Sequence, residues 1–209
     1  MRLKSSMKTH KLFPVEVLEF EYPSLLDWAG LDTFLSRHIR YMGPSGISHT
    51  HTQMHQEVYL QDVVNWFNDC LEEAREHWTF ACDKLEITTC WANANWGGSN
   101  QAHHSHDHPM SCVSGIFYAS KDGAPTVFEN PYYTHKVSRI EPYRREPNYR
   151  WEAPFTGGSL LLFPSGLVHG TQRQFEDNNR WSISFNTLPT GDINEHSQGI
   201  ETTSAQISL

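Results

Sequence analysis

Two kinds of hydrophobic spacing divide the chain. Val63, Val64, Phe67, Leu71, Ala74 and Trp78 recur at three- and four-residue steps. That spacing predicts a helix with one apolar face turned to a core, and Asn65, Asp69, Glu72, Glu73 and Arg75 fall elsewhere around it. Upstream, residues 24–35 read as a shorter helix weakened by Gly30, and residues 11–20 alternate like an opening strand. From Leu85 the pattern changes. Residues 85–95, 113–119, 126–129, 158–163 and 181–186 are short apolar or alternating runs, separated by Gly, Pro and Asn turns. Such runs predict strands of a sandwich or barrel. Helices first and strands later predict an α+β chain, with N-terminal helices covering one face of a jelly-roll, cupin-like core.

No repeat, low-complexity tract or linker interrupts the 209 residues, so residues 1–209 are expected to form a single domain. Within it, residues 20–80 are helix-rich, about 85–190 form the jelly roll, and 191–209 are a C-terminal tail. Hydrophobic residues make up 38%, which fits a packed core and not a disordered chain. No apolar run reaches the length of a bilayer span. The basic start, Met1 to Lys8, lacks the apolar segment of a secretory signal. A cytoplasmic protein is therefore expected, with no membrane partner. Cys70, Cys82, Cys90 and Cys112 show no CxxC spacing, so they read as small buried hydrophobes, not a zinc site. A net charge of −8 argues against broad nucleic-acid affinity.

Candidate chemistry lies in the β-rich part. His103, His104, His106 and His108 fall within six residues. A His-rich surface loop is the plain reading of that tract taken alone. However, His106 and His108 stand at i and i+2, a spacing that points two side chains the same way from extended backbone. His169 follows an apolar strand and a Pro/Gly turn. Three imidazoles facing one point suit a divalent transition metal with open coordination positions. Arg180 opens an alternating strand. If it is buried beneath the metal it needs an anionic partner, and its fork suits the carboxylate of an acidic co-substrate. Ser182 on the same strand face, Tyr118 on a neighbouring strand, and Asn93 and Asn95 along one face are further candidates to bind that co-substrate.

The joined motifs carry a resemblance. They are Trp91-Ala-Asn-Ala-Asn95, His106-x-His108-Pro109-x-Ser111-x-x-Ser114-Gly-Ile-Phe-Tyr118, Gly158-Ser-Leu-Leu-Leu-Phe-Pro-Ser165 with His169, and Arg180-x-Ser182-Ile-Ser-Phe-Asn186. Together they resemble a 2-oxoglutarate–Fe(II) oxygenase family of bacteria and marine phages, distantly similar to prolyl hydroxylases. The resemblance is good over the C-terminal half, to about Pro189, and looser in the helical half. It implies a double-stranded β-helix, iron at the histidines and 2-oxoglutarate at the arginine. It also implies hydroxylation of a C–H bond in an unidentified small-molecule or peptide substrate, with the prolyl-hydroxylase likeness pointing to a peptidyl or amino-acid one, in the cytoplasm of a bacterium or of a phage-infected host. A homodimer is left open.

The chain departs from the wider superfamily at one point. The usual facial triad has a carboxylate two residues after the first histidine, where this chain has His108. Asp107 is adjacent to His106 and is expected to point away. Glu129, on another strand, is an alternative third ligand. The leading expectation is His106, His108 and His169. Two other readings stay open: a cupin-like three-histidine dioxygenase that does not use 2-oxoglutarate, and a non-catalytic jelly-roll module. Residues 132–151, rich in aromatics and arginines, are expected to form either a lid that contacts substrate or an ordinary surface insertion.

Overall fold

A computed structural model describes residues 14–42, 47–97, 102–131, 150–173, 178–193 and 205–208. Its framework is two antiparallel sheets that face each other, with both helices in the N-terminal half of the chain. The strands are β1 (Leu18–Glu21), β2 (Ile39–Met42), β3 (Ile47–Thr50), β4 (Lys84–Asn95), β5 (Val113–Tyr118), β6 (Thr126–Glu129), β7 (Arg150–Ala153), β8 (Ser159–Pro164), β9 (His169–Thr171), β10 (Arg180–Ile193) and β11 (Ala205–Ile207). The large sheet runs β1-β8-β5-β10-β4-β3-β2, with β11 paired to the far end of β10. The small sheet runs β7-β6-β9. This is the expected α+β jelly roll.

Strand alternation gives the large sheet two distinct faces. Ala92, Ala94, Phe117, Leu160, Leu162, Trp181, Ile183 and Phe185 are buried on the helix side. Against them lies α2 (Gln61–His77), whose Val63, Val64, Phe67, Cys70, Leu71 and Ala74 are buried. The Phe67 ring lies 5.4 Å from that of Phe117 and 4.9 Å from that of Phe185. Phe185 reaches this position by crossing Gly115, its partner in the ladder. A Cβ on Gly115 would meet that ring at 2.2 Å. The shorter α1 (Trp28–Arg37) is capped by the Asp27 carboxylate, which accepts from Gly30 N at 3.0 Å. It buries Leu31 and Leu35, and Asp32 accepts from Trp181 Nε1 at 2.7 Å. Gly30 thus lies inside the helix that it was expected to weaken.

The other face carries Asn93, Asn95, Arg180, Ser182, Ser184, Ser114 and Ile116, and these line a cavity between the sheets. A second, smaller core of Ile116, Tyr118, Phe128, Ala153, Leu161, Phe163 and Leu167 closes the sandwich beside it.

Several boundaries differ from the sequence reading. The opening strand is short, Leu18–Glu21, and residues 11–13 lie outside the described residues. The helix-rich segment also contains β2 and β3, which extend the large sheet beyond β4. The C-terminal segment is not simply a tail, because β10 continues to Ile193 and Gly191–Ile193 pair with β11. Of the proposed lid, residues 132–149 lie outside the described residues, while Arg150 and Trp151 begin β7. All four cysteines are free, three of them buried, and burial pushes the Cys70 and Cys90 thiols up to about 12. No helix among the described residues is long and apolar enough to cross a membrane.

Candidate metal centre

His106 and His169 are brought together by backbone pairing. His106 N donates to His169 O at 2.8 Å, and His169 N donates to His106 O at 2.9 Å. His108 N donates to Ser165 O at 2.9 Å, in the turn between β8 and β9. Gly170 is what lets the histidine segment cross β9 so closely, since a Cβ there would meet His103 O at 2.8 Å. The result is a cluster in which one ligand atom from each of His106, His108 and His169 lies within 4.8 Å of the other two. Their ring centroids are 4.6 to 5.3 Å apart.

Two of these rings are oriented by backbone carbonyls. His106 Nδ1 is 2.9 Å from His104 O, and His169 Nδ1 is 2.9 Å from Leu167 O. A carbonyl can only accept, so each Nδ1 carries the proton and each Nε2 keeps a free lone pair. This is how metal-ligating histidines are commonly held. Burial, aided by the neighbouring imidazoles, lowers His169 to about 3 and also lowers His108. Both rings are therefore neutral near pH 7, as metal binding requires.

No carboxylate joins the cluster among the described residues. Asp107 is exposed between the two histidines. Glu129 is set away by strand alternation: Thr126 of β6 lines the cavity, and Glu129, three residues on, falls on the opposite face.

The cavity holds about 240 Å³. Drug-sized ligands occupy roughly 300–1,000 Å³, so this one suits a smaller molecule. Arg180, 1% exposed, forms part of its wall. Nε donates to Ala124 O at 2.7 Å, Nη1 to Ser182 Oγ at 3.3 Å and Nη2 to Thr126 Oγ1 at 3.4 Å. The guanidinium carbon lies 5.6 Å from the Tyr118 ring centroid and 5.5 Å from that of Phe155. Burial lowers its pKa to about 10, so it stays charged near neutral pH. No ion pair satisfies it among the described residues. Asn95, opposite Arg180 in the ladder, is 1% exposed, and neither Nδ2 nor Oδ1 has a hydrogen-bond partner among the described residues. A buried cation without an anion and a buried amide without a partner both call for a polar ligand.

Asn93 and Ser182 face each other on the same cavity wall. Tyr118 takes a different place. It pairs with Ser182, but its hydroxyl donates to Thr126 Oγ1 at 2.9 Å and its ring supports Arg180 from behind. Thr126 was not anticipated: it links Tyr118 to Arg180 across the two sheets. His103, part of the histidine tract, lines the cavity beside His106 without joining the metal group. Burial lowers its pKa to about 4.

A second trio, His38, His51 and Glu57, also comes together. There Gln53 N donates to His51 Nδ1 at 3.2 Å. The proton of neutral His51 is thus on Nε2, which lies 3.1 Å from Glu57 Oε1. That trio reads as a hydrogen-bonded pair with a neighbour, not a ligand set.

Residues 89–186 match the family described as "Putative 2OG-Fe(II) oxygenase", enzymes that take Fe(II) and 2-oxoglutarate as cofactors. The matched span includes all three histidines and Arg180. No curated protein matches the chain. Among solved structures, a prolyl-4-hydroxylase from Pseudomonas putida superposes with a TM-score of 0.58 at 11% identity, covering 84% of this chain and 93% of that one. HygX from Streptomyces hygroscopicus, crystallised with nickel and 2-oxoglutarate, superposes with a TM-score of 0.57 at 13% identity, covering 84% of each chain. The epimerase SnoN of nogalamycin biosynthesis gives 0.60 at 9% identity, covering 93% of this chain and 89% of that one. At these identities the likeness is one of fold.

Proposed function

We propose that the chain is a 2-oxoglutarate-dependent Fe(II) oxygenase that hydroxylates a C–H bond of an amino-acid or peptide substrate, with His106, His108 and His169 as metal ligands. One observation carries the reading: three imidazoles with ligand atoms within 4.8 Å of each other share a cavity with a buried arginine that has no ion pair among the described residues. The donor set fits a divalent iron, because neutral imidazoles suit it and three ligands leave positions open. When bound, the iron and 2-oxoglutarate supply the O₂-activating chemistry, coupled to conversion of 2-oxoglutarate to succinate.

The protein's own part is placement and exclusion of water. Arg180 takes the distal carboxylate through charge-assisted hydrogen bonds. Ser182 and the Asn95 amide offer further polar contacts on the same wall. Trp91, Ile116 and Phe163 give that wall its apolar portion. The fold likeness to a prolyl-4-hydroxylase supports the reaction and substrate class; the likeness to SnoN shows that the same fold also serves an epimerase.

The test is succinate formation from 2-oxoglutarate by the purified protein, with Fe(II) and O₂, during incubation with peptide and amino-acid pools. Fe(II)-dependent succinate with a product 16 Da heavier, one oxygen atom, is expected. Succinate without oxygen insertion would redirect the reading toward another oxidation. No succinate under any condition would overturn it.

A further inference from the structure

Among the described residues, the two backbone carbonyls that orient His106 and His169 have no counterpart at His108. The side-chain amide of Asn186 approaches its Nδ1, with Nδ2 placed at 3.5 Å. Asn186 is the last residue of β10 before the bulge between Asn186 and Thr187. Its Oδ1 is placed 2.8 Å from Ser114 Oγ. Ser114 Oγ lies 2.9 Å from Ser165 Oγ, and Ser165 Oγ lies 2.8 Å from Ser111 Oγ. Ser111 Oγ is then within 3.1 Å of Thr187 O and 3.2 Å of Val113 O. A line of three hydroxyls thus joins the amide to two main-chain carbonyls.

Counting protons fixes the direction of that line. Each hydroxyl has one proton to donate. Ser111 faces two carbonyls, which only accept, so its proton goes to one of them. It also accepts from Thr187 N at 3.1 Å. Ser165 must then donate to Ser111, and Ser114 must donate to Ser165. The Ser114 proton is now committed, so Ser114 can only accept from Asn186. The amide therefore turns its Nδ2 to Ser114 and its Oδ1 to His108. The oxygen and nitrogen of an amide have nearly the same shape, and the hydrogen-bond network decides between them. The opposite polarity would leave the Ser111 oxygen against two carbonyl oxygens with no proton between them.

From this count we infer that Asn186 is a positioning residue for the metal: its Oδ1 accepts the Nδ1 proton of His108 and so holds the Nε2 lone pair free. With the amide the other way round, Nδ2 would donate to Nδ1 and the His108 proton would sit on Nε2, where a metal must bind. Ser111, Ser114 and Ser165 hold the amide in the productive sense. Ser114 and Ser165 are almost fully buried, 2% and 1% exposed, which shields the chain from competing water. The inference rests on His108 being a ligand, as proposed above.

Two measurements test it. In the metal-free parent, nitrogen-15 NMR of the histidine rings reads the tautomer directly, and His108 is expected as the Nδ1–H form, like His106 and His169. Cobalt(II) titration then compares Asn186→Leu and Asn186→Asp with the parent. Loss of a partner that orients a ligating histidine typically weakens metal binding about 10- to 100-fold, and that is expected for Asn186→Leu. Asn186→Asp keeps an acceptor for His108 Nδ1 but cannot donate to Ser114, so it should lose less affinity than Asn186→Leu. An Nε2–H tautomer for His108 in the parent would overturn the inference without needing any variant to fold. So would a loss in Asn186→Asp equal to that in Asn186→Leu, or parental binding by a folded Asn186→Leu. Failure of the parent itself to bind cobalt would instead sink the metal-centre reading and leave the tautomer result to stand alone.

Discussion

Replacing Arg180 with methionine separates a functional arginine from a structural one. The guanidinium is 1% exposed, has no carboxylate beside it among the described residues, and makes one contact of ordinary length, the 2.7 Å bond to Ala124 O. Its other two bonds are 3.3 and 3.4 Å long. A net hydrogen bond contributes about 0.5–1.5 kcal/mol, and methionine keeps much of the packing between Tyr118 and Phe155. Removing a buried charge that lacks a counter-ion also relieves a desolvation cost. The fold should therefore lose no more than about 1–2 kcal/mol. Ligand binding should suffer far more. A hydrogen bond to a charged group is worth about 1.5–3 kcal/mol, and about 1.4 kcal/mol is a factor of ten. Loss of the carboxylate anchor should weaken 2-oxoglutarate binding about 10- to 100-fold. Anaerobic calorimetry on the cobalt-loaded protein measures that affinity, and a thermal melt controls for folding. Arg180→Lys should fall between, since it keeps the charge but loses the fork. If folded Arg180→Met binds 2-oxoglutarate within twofold of the parent, the buried arginine is structural and the anchor is wrong.

Further outcomes follow from the same geometry. His169→Ala should abolish specific cobalt or iron binding in an anaerobic titration, whereas His103→Ala, outside the ligand group, should retain it. Gly115→Ala should destabilise the protein by about 1–3 kcal/mol in urea unfolding, because the new methyl meets the Phe185 ring. The His169 pKa is lowered from 6.5 to about 3. Its contribution is therefore fully present above pH 6.5 and is lost as pH falls, because the unfolded chain takes up a proton that the folded one refuses. At pH 5 the metal-free protein should be less stable by about 2 kcal/mol from this residue alone, measurable as a lower urea midpoint than at pH 7.5.

The long, strongly periodic elements were legible. The apolar face of α2 follows directly from its three- and four-residue steps, and β4, β5, β6, β8 and β10 from their apolar or alternating runs. The elements that escaped are short, three or four residues each. Residues 39–42 and 47–50 are too short for alternation to mark them as strands, although Ile39, Tyr41 and Ile47 suit one. Their order comes from pairing with β4 and with each other. His169–Thr171 contains a glycine whose purpose is close backbone approach, visible only once His103 lies across it. At the site, alternation was enough to put Asn93, Asn95, Arg180 and Ser182 on one face. It did not reveal that the Tyr118 hydroxyl bonds to Thr126, because that contact joins two sheets and depends on tertiary packing. The role of Asn186 was likewise hidden, since it emerges only when three serines from two distant stretches align behind it.

The most direct measurement is a crystal structure with iron(II) and 2-oxoglutarate introduced under anaerobic conditions. The account predicts one iron bound by Nε2 of His106, His108 and His169, with the distal carboxylate of 2-oxoglutarate on Arg180 and the Asn95 amide satisfied by ligand or ordered water. Iron at a site that excludes His169 or includes Glu129 would contradict it, as would 2-oxoglutarate bound away from Arg180.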